Sequence, residues 1–517
     1  MKHRKLRRIG GAIAVLLLAV LVGCQAVGGL NLNDMIVNQL NVKSSESRGT
    51  VEVTFDWDEE QLAAADPEAV QAIDWFRKVS LQIDAMKSDD RGHAYAKGAI
   101  ALAKGTIPFE LRADPEKAVL NVGGAAHPFV LDLTGAGGGL PGLNGLGVQG
   151  KGQNEALQEA VRSLVREAAS YVVGHLPNPP VVRVEAASLP IDGVQTDLTK
   201  VHAELNGKEI GELVPVFLDS LAKDEQGLRE LIRTVVQWGN DLPADVKLAL
   251  GIGNDEAQPT EAEIDEVVQE ALAYFKETQA QIEEAKRDPD WEQAFNDGMT
   301  LKTDLYVDKS LHIRKSDTEW KIDLTRFGEL GFPLKSVTIT SSQESWNVNG
   351  DVGLGPVAVP ADAITAEQLV GMTPYRVVKQ FSVDSAVYGL LKNDLHFDDQ
   401  SFTLSDEWGV PFASDEDGGL YVPLRETLRQ LDIPLSYDPA TKVLRFYDEP
   451  TMQDVTLKAG SANVSVNGTD RRWTQPLVPL DGVLYAYADD LLGLLRAEYR
   501  LQDGPYGDQE LLITRKP

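Results

Sequence analysis

Val51-Glu-Val-Thr-Phe-Asp-Trp57 alternates apolar and polar side chains, the pattern of a strand with one face covered and the other in water. Residues 79–85 repeat it, with Val79, Leu81, Ile83 and Ala85 on one side. Runs near 95–103, 106–112 and 117–133 carry the same period between turn-rich pieces, which predicts an antiparallel meander. Period two returns at Leu301, Thr303, Leu305 and Val307, then at Trp320, Ile322 and Leu324, and again at Val337 and Ile339.

Between these two strand-rich regions the spacing becomes helical. Leu157, Ala160, Val161, Leu164, Val165 and Ala168 form one apolar stripe; Ile210, Leu213, Val214, Phe217, Leu218 and Leu221 form another, and Leu228, Leu231, Ile232, Val235 and Val236 a third. Thr260-x-x-Glu263 is a capping box that opens a fourth helix through Ile264, Val267, Val268, Ala271, Leu272 and Phe275. Residues 192–205 read as a strand closed by a turn at Asn206-Gly207. The expectation is an α+β domain over 51–350, divisible into one or two parts, with an antiparallel curved sheet packed by several long helices. Such a sheet can enclose an apolar ligand. Residues 135–152 are glycine-rich but lack the Gly-Lys-Ser/Thr ending of a phosphate loop, and read as a flexible loop.

The N-terminus has a different logic. Lys2, Arg4, Lys5, Arg7 and Arg8 precede an apolar run from Ile9 to Val22, too short to span a bilayer but suited to the core of an export signal. The run ends in Leu21-Val22-Gly23-Cys24, which resembles the bacterial lipobox: a branched apolar residue, two small residues and a cysteine whose thiol receives the lipid. Cys24 is the only cysteine in the chain, which excludes an internal disulfide or a thiolate metal site. The implied partner is a membrane, reached through acyl chains at Cys24, with residues 24–50 as a flexible tether.

Removing residues 1–23 removes five cations and no acid, taking the formal charge from −30 to −35. A body that acidic is repelled by nucleic acid and by anionic lipid or wall polymer. With 43% apolar residues the chain can nevertheless bury sizeable cores, and its length suggests two to four domains.

No catalytic constellation stands out. The histidines at 3, 93, 127, 175, 202, 312 and 396 are isolated, with no His-Glu-x-x-His, and neither a Gly-x-Ser-x-Gly elbow nor a Ser-x-x-Lys set is present. His202 and His312 fall on polar strand positions and read as solvent-facing. Asp58-Glu59-Glu60, Asp89-Asp90 and Asp415-Glu416-Asp417 read as solvated turns; the last begins like a calcium loop, but Gly419 and Leu420 replace the residues such a loop requires. The expectation is no catalytic residue, no metal and no cofactor. That leaves a binding or scaffolding role at the cell envelope, a carrier of an apolar ligand, or a secreted hydrolase of unfamiliar type.

The last fifth of the chain repeats itself. Asp417-Gly-Gly-Leu-Tyr421 is matched by Asp481-Gly-Val-Leu-Tyr485, and Leu424, Leu428 and Leu431 by Leu491, Leu492 and Leu495, predicting two units of strand, helix and hairpin. The segments LYVPLRETLRQLDIPLSYDPATKVLRFY (420–447) and VTLKAGSANVSVNG (455–468) resemble the copper amine oxidase N-terminal-like domain, an α+β module of extracellular proteins from Gram-positive bacteria. The second half departs from that pattern, with Ala486-Tyr487-Ala488-Asp489 in place of Val-Pro-Leu-Arg and an insertion near Gly504–Gly507. The resemblance implies an accessory domain over 405–517, reached through a connecting segment at 351–404, on the outer side of the cell membrane. It does not imply amine oxidation, because the His-x-His copper pair and the Asn-Tyr-Asp/Glu setting of the modified tyrosine are missing.

Overall fold

The computed structural model describes residues 30–63, 67–134, 155–242, 247, 259–327, 333–405, 411–504 and 509–517, which fall into two compact units, residues 1–366 and 367–517. The fold is α+β, with large antiparallel sheets.

The first unit is built on one twelve-stranded sheet. Its first meander comprises β1 (Ser45–Trp57), β2 (Lys78–Ser88), β3 (Ala94–Leu102), β4 (Gly105–Ala113), β5 (Lys117–Val122) and β6 (Phe129–Asp132). The second comprises β7 (Val181–Ile191), β8 (Val194–Asn206), β9 (Met299–Val307), β10 (Ile313–Asp323) and β11 (Leu334–Trp346). The two join where β1 pairs antiparallel with β11, Val53 opposite Ile339. The twelfth strand, β12 (Ile364–Thr365), adds in parallel to the free edge of β6. The alternation at Val51–Trp57 thus belongs to a strand at the centre of the sheet.

Among the described residues this unit has four longer helices, α4 (Glu155–Gly174) and, between β8 and β9, α5 (Gly207–Lys223), α6 (Glu225–Asp241) and α7 (Glu261–Ala285); α1 (Leu32–Gln39), α2 (Glu59–Ala63), α3 (Pro67–Trp75) and α8 (Pro289–Ala294) are short ones. Thr260 caps α7 as its spacing predicts: its side chain accepts from Glu263 N while the Glu263 carboxylate accepts from Thr260 N. Three of the buried residues of α7, Ile264, Val268 and Leu272, recur every four positions and cluster with Leu228 of α6.

Three expectations are corrected. Asn206-Gly207 is not a hairpin turn: Asn206 is the N-cap of α5 in a second capping box with Glu209. The hairpin lies earlier, where β7 and β8 turn at Asp192 and Gly193, both at positive φ (47° and 76°). Second, the stretch read as a tether is folded from residue 31 onward. Asn31 caps α1, which buries Leu32 and Met35 against Val201 and Val307. Third, the connecting segment divides between the units. Val357 N donates to Asp114 and Ile364 pairs with Phe129 in the first unit, whereas residues from 367 onward belong to the second. The glycine-rich run 135–152, Leu157, Ala160, Val161 and the insertion near 504–507 fall wholly or mainly outside the described residues or side chains.

In the second unit the order strand, helix, hairpin occurs twice: β15 (Leu420–Pro423), α9 (Leu424–Gln430), β16 (Leu435–Asp438) and β17 (Val443–Asp448), then β22 (Val483–Tyr487), α10 (Ala488–Leu494), β23 (Ala497–Asp503) and β24 (Gln509–Arg515). The first strands of the two copies pair antiparallel, with Val422 opposite Ala486, its counterpart 64 residues on. Asp432 and Arg496, also 64 apart, both take positive φ (61° and 53°) after their helices. Strands β18 (Gln453–Lys458), β19 (Asn463–Val466) and β20 (Thr469–Arg472) extend β16–β17 into a five-stranded sheet; β13 (Gln400–Leu404) pairs with β24, and β14 (Ala413–Ser414) and β21 (Val478–Leu480) complete the four-stranded sheet of β15 and β22. Val422, Leu424, Leu428, Leu491, Leu492 and Ile513 form the centre of one continuous core.

Candidate functional site

The register of the large sheet places most of its large apolar residues on one face, Val119 and Val130 being exceptions on the other. Val53 stands opposite Val79, Leu81 opposite Ile100, Ile100 opposite Ile107, and Leu111 opposite Leu120, which in turn faces Phe129. In the other direction Val53 faces Ile339, Ile339 faces Trp320, Trp320 faces Leu301, and Leu301 faces Leu205. Opposed residues of a ladder project to the same side, so this inner face is continuous from β8 to β6. Across the nine strands from β9 to β6 no described residue at a paired inner position is ionisable. The outer face is heavily charged, with Glu52, Lys97, Glu110, Asp304, Glu319 and Lys321 among its residues.

Coverage of the inner face is uneven. Over β8 and β9, Leu205 and Leu301 are buried beneath Ile210 of α5, and Val201 and Val307 beneath α1. From β10 across to β6 the large inner residues, including Phe55, Leu81, Ile100, Phe109 and Ile339, are only half-buried. Val51, Met86 and Leu131 are exposed, at 40%, 43% and 41%. Along the strand direction the inner face also changes character. On β11 it passes from Val337 and Ile339 to Ser341, Gln343 and Ser345; on β10, from Ile322 and Trp320 to Thr318 and Ser316. Thr303 on β9 shares a hydrogen bond with Thr318, Oγ1 to Oγ1 at 3.0 Å. The indole Nε1 atoms of Trp57 and Trp320, on the same face, are enclosed and meet no hydrogen-bond partner.

On the outer face His202 is not free in solvent. Its Nδ1 lies 2.7 Å from Asp304 and its Nε2 2.8 Å from Glu204, with Lys200 completing the cluster 3.2 Å from Asp304. The hydrogen bond to Asp304, then that to Glu204, raises the imidazole pKa above its ordinary value. Burial alone would raise the Asp304 pKa, but hydrogen bonds from His202 and Lys200 outweigh it and hold the carboxyl low. These groups satisfy one another across two strands, an arrangement that fastens β8 to β9. His312 lies 3.7 Å from Asp308.

The acidic runs serve local structure. Asp58 accepts from the amides of Glu60 and Gln61 at the start of α2, Asp89 holds the His93 amide and ring, and Asp415 accepts from Asp417 N and Gly419 N. No group of three or more His, Cys, Asp or Glu residues is placed to hold a metal ion among the described residues. The second unit has a groove of about 410 Å³ lined by Tyr375, Lys379, Asp432, Tyr447 and Asp448 among others. Its charges are matched internally: Arg376 with Asp432, Lys379 with Glu449 at 2.7 Å, and Asp448 with Arg515 at 2.6 Å.

Cys24, with Leu21, Val22 and Gly23, lies outside the described residues. The polar end of the inner face went unread in the sequence, although the alternate positions Ser341, Gln343 and Ser345 carry it within a strand already marked by Val337 and Ile339. Comparison of the chain with protein-family models, with curated proteins and with solved structures finds no match.

Proposed function

We propose that the protein is a lipid-anchored, extracytoplasmic binder of an acyl-chain ligand, held against the inner face of the large sheet between β10 and β6, and that its role is binding rather than catalysis. The observation that carries this reading is the incompletely covered, uncharged apolar face. Its large side chains stay partly in contact with water, and Val51, Met86 and Leu131 are exposed by 40%, 43% and 41%, so apolar burial that would stabilise the fold is left incomplete. An apolar patch that extensive marks a binding surface, and the lack of charge suits hydrocarbon.

One extra residue in β2 near Asp84 shifts its register against both β1 and β3, and such a bulge kinks the strand that carries it. An uncharged apolar face with helices over one end suits a flexible chain better than a polar protein partner. The anchor is read from Leu21 to Cys24. The second unit is read as an extracellular accessory module of the copper amine oxidase N-terminal-like type, on the motifs of 420–468 and the doubled strand-helix-hairpin order.

The test is uptake of a pyrene-labelled acyl methyl ester by the mature protein after organic extraction. Saturable uptake is expected. Leu81→Glu, which places a carboxylate on the inner face, lowers it by about tenfold or more, because an unpaired charge facing hydrocarbon is costly. The outer-face change Thr54→Glu leaves it intact. Uptake that is absent, or equally insensitive to both substitutions, overturns the reading.

A further inference from the structure

Resting on the acyl-ligand reading above, we infer that the ligand's head is an uncharged, hydroxyl- or ester-bearing group seated at the Ser316–Ser341–Gln343 end of the inner face, so that the site selects neutral lipids over phosphate-bearing ones.

The switch in polarity occurs at one level on neighbouring strands. Trp320 faces Ile339, which faces Val53; one step along, Thr303 faces Thr318, which faces Ser341; the next step pairs Ser316 with Gln343, and Gln343 with Gly49. Strands β10 and β11 therefore share a boundary, with hydrocarbon side chains below it and hydroxyl and amide groups above; Thr303 of β9 joins at the first step, while Leu305 of β9 faces Ser316 and Val51 of β1 faces Ser341 as apolar flanks of the polar end. Hydroxyls and carboxamides both donate and accept, matching the hydroxyls and ester carbonyls of an acylglycerol or a glycosylated acylglycerol. An acyl chain running from this end toward Val337, Ile322 and Phe55 meets only apolar side chains.

A phosphate has no counterpart here. No cation occupies a paired inner position from β9 to β6 among the described residues. The cations flanking this end are each committed to a carboxylate: Arg48 to Glu344 at 2.9 Å, Lys87 to Glu46 at 3.1 Å, Arg314 to Asp308 at 3.1 Å and Lys315 to Asp317 at 3.3 Å. Seating a phosphate would leave an unpaired anion partly desolvated. The chain's formal charge of −30 adds repulsion at longer range.

The experiment is competition against the pyrene-labelled acyl methyl ester on the extracted mature protein, using diacylglycerol, monoglycosyl diacylglycerol and phosphatidylglycerol with identical acyl chains. The two neutral lipids are expected to displace the probe at concentrations at least about tenfold below that needed for phosphatidylglycerol, a tenfold ratio being about 1.4 kcal/mol. If only the glycosylated lipid competes well, the head is a sugar; if both do, the glycerol ester suffices. Replacing Ser316, Ser341 and Gln343 by Ala, Val and Leu removes the partners of the neutral heads and should weaken competition by both neutral lipids by about tenfold while probe uptake persists. Phosphatidylglycerol competing as well as the neutral lipids, or neutral-lipid competition unchanged in the triple variant, overturns the inference while leaving the acyl-ligand reading intact. Failure of the protein to take up the probe at all overturns that reading instead.

Discussion

Asp448 and Arg515, the last residues of β17 and β24 in the two strand-helix-hairpin copies, meet in an ion pair at 2.6 Å whose side chains are 0% and 1% exposed. The other Asp448 oxygen and Arg515 Nε and Nη1 meet no partner. The two copies are thus joined at one place by a strand pair about Val422 and Ala486, and at another by a fully enclosed charge pair.

An enclosed pair is costly to break from one side, because the survivor is left as a lone charge. Arg515→Ala should destabilise the second unit by about 3–5 kcal/mol, and the double change Asp448→Leu with Arg515→Met by markedly less. Hydrogen exchange of the β17 and β24 amides in the full chain reads this directly. Equal acceleration in the single and double variants would contradict it.

Gly98 sits where β3 passes the bulge of β2, and a Cβ there would stand 2.0 Å from the Gln82 carbonyl oxygen. Backbone cannot yield as a side-chain tip can. Gly98→Val should cost at least about 2 kcal/mol, measured as a lowered denaturation midpoint. A neutral substitution would show that β2 and β3 do not approach so closely.

His202 ties stability to pH. Its folded-state pKa is raised, so its contribution is fully present below the unfolded value of about 6.5 and is lost as the pH rises through the folded value. Asp304, whose pKa is depressed, contributes above its unfolded value, and that contribution is lost as the pH falls through the folded one. The melting temperature of wild type relative to His202→Gln should therefore be highest near about pH 6 and decline toward about pH 9. A constant difference between the two proteins would remove His202 from the account.

Asn206 distinguishes a cap from a turn. As an N-cap its carboxamide oxygen accepts from Glu209 N at 2.9 Å, so Asn206→Asp should be nearly neutral and Asn206→Ala should cost about 1 kcal/mol. Gly207 has its own role, since a Cβ there would meet Asn296 O at 2.3 Å. Unfolding midpoints of the two Asn206 variants that coincide would favour the hairpin reading.

Legibility followed the range of the interactions. The alternation at Val51–Trp57, at 79–85 and at 301–307 names half-covered strands because their period is a local property, and Thr260-x-x-Glu263 places a helix start because a capping box spans four residues. Asn-Gly, by contrast, suits a hairpin and a helix start alike. Only the docking of α5 onto Leu205 and Leu301 decides between them. The burial of Leu32 and Met35 depends on β8 and β9, more than a hundred residues away, so a Gly- and Asn-rich stretch looked like a tether. The hydroxyl end of the inner face required the register between β9, β10 and β11, which pairs Thr303 with Thr318 and Thr318 with Ser341 and cannot be counted along one strand.

The most direct test is native mass spectrometry of the protein purified from its own membranes, alongside Val51→Glu, whose site is 40% exposed and so tolerates a carboxylate without unfolding. One equivalent of a noncovalently held acyl lipid on the wild-type protein, released by organic solvent and lost in the variant, is the predicted result. A wild-type chain that flies free of any such lipid and takes none up when offered would contradict the claim that the inner face of the sheet is a seat for hydrocarbon.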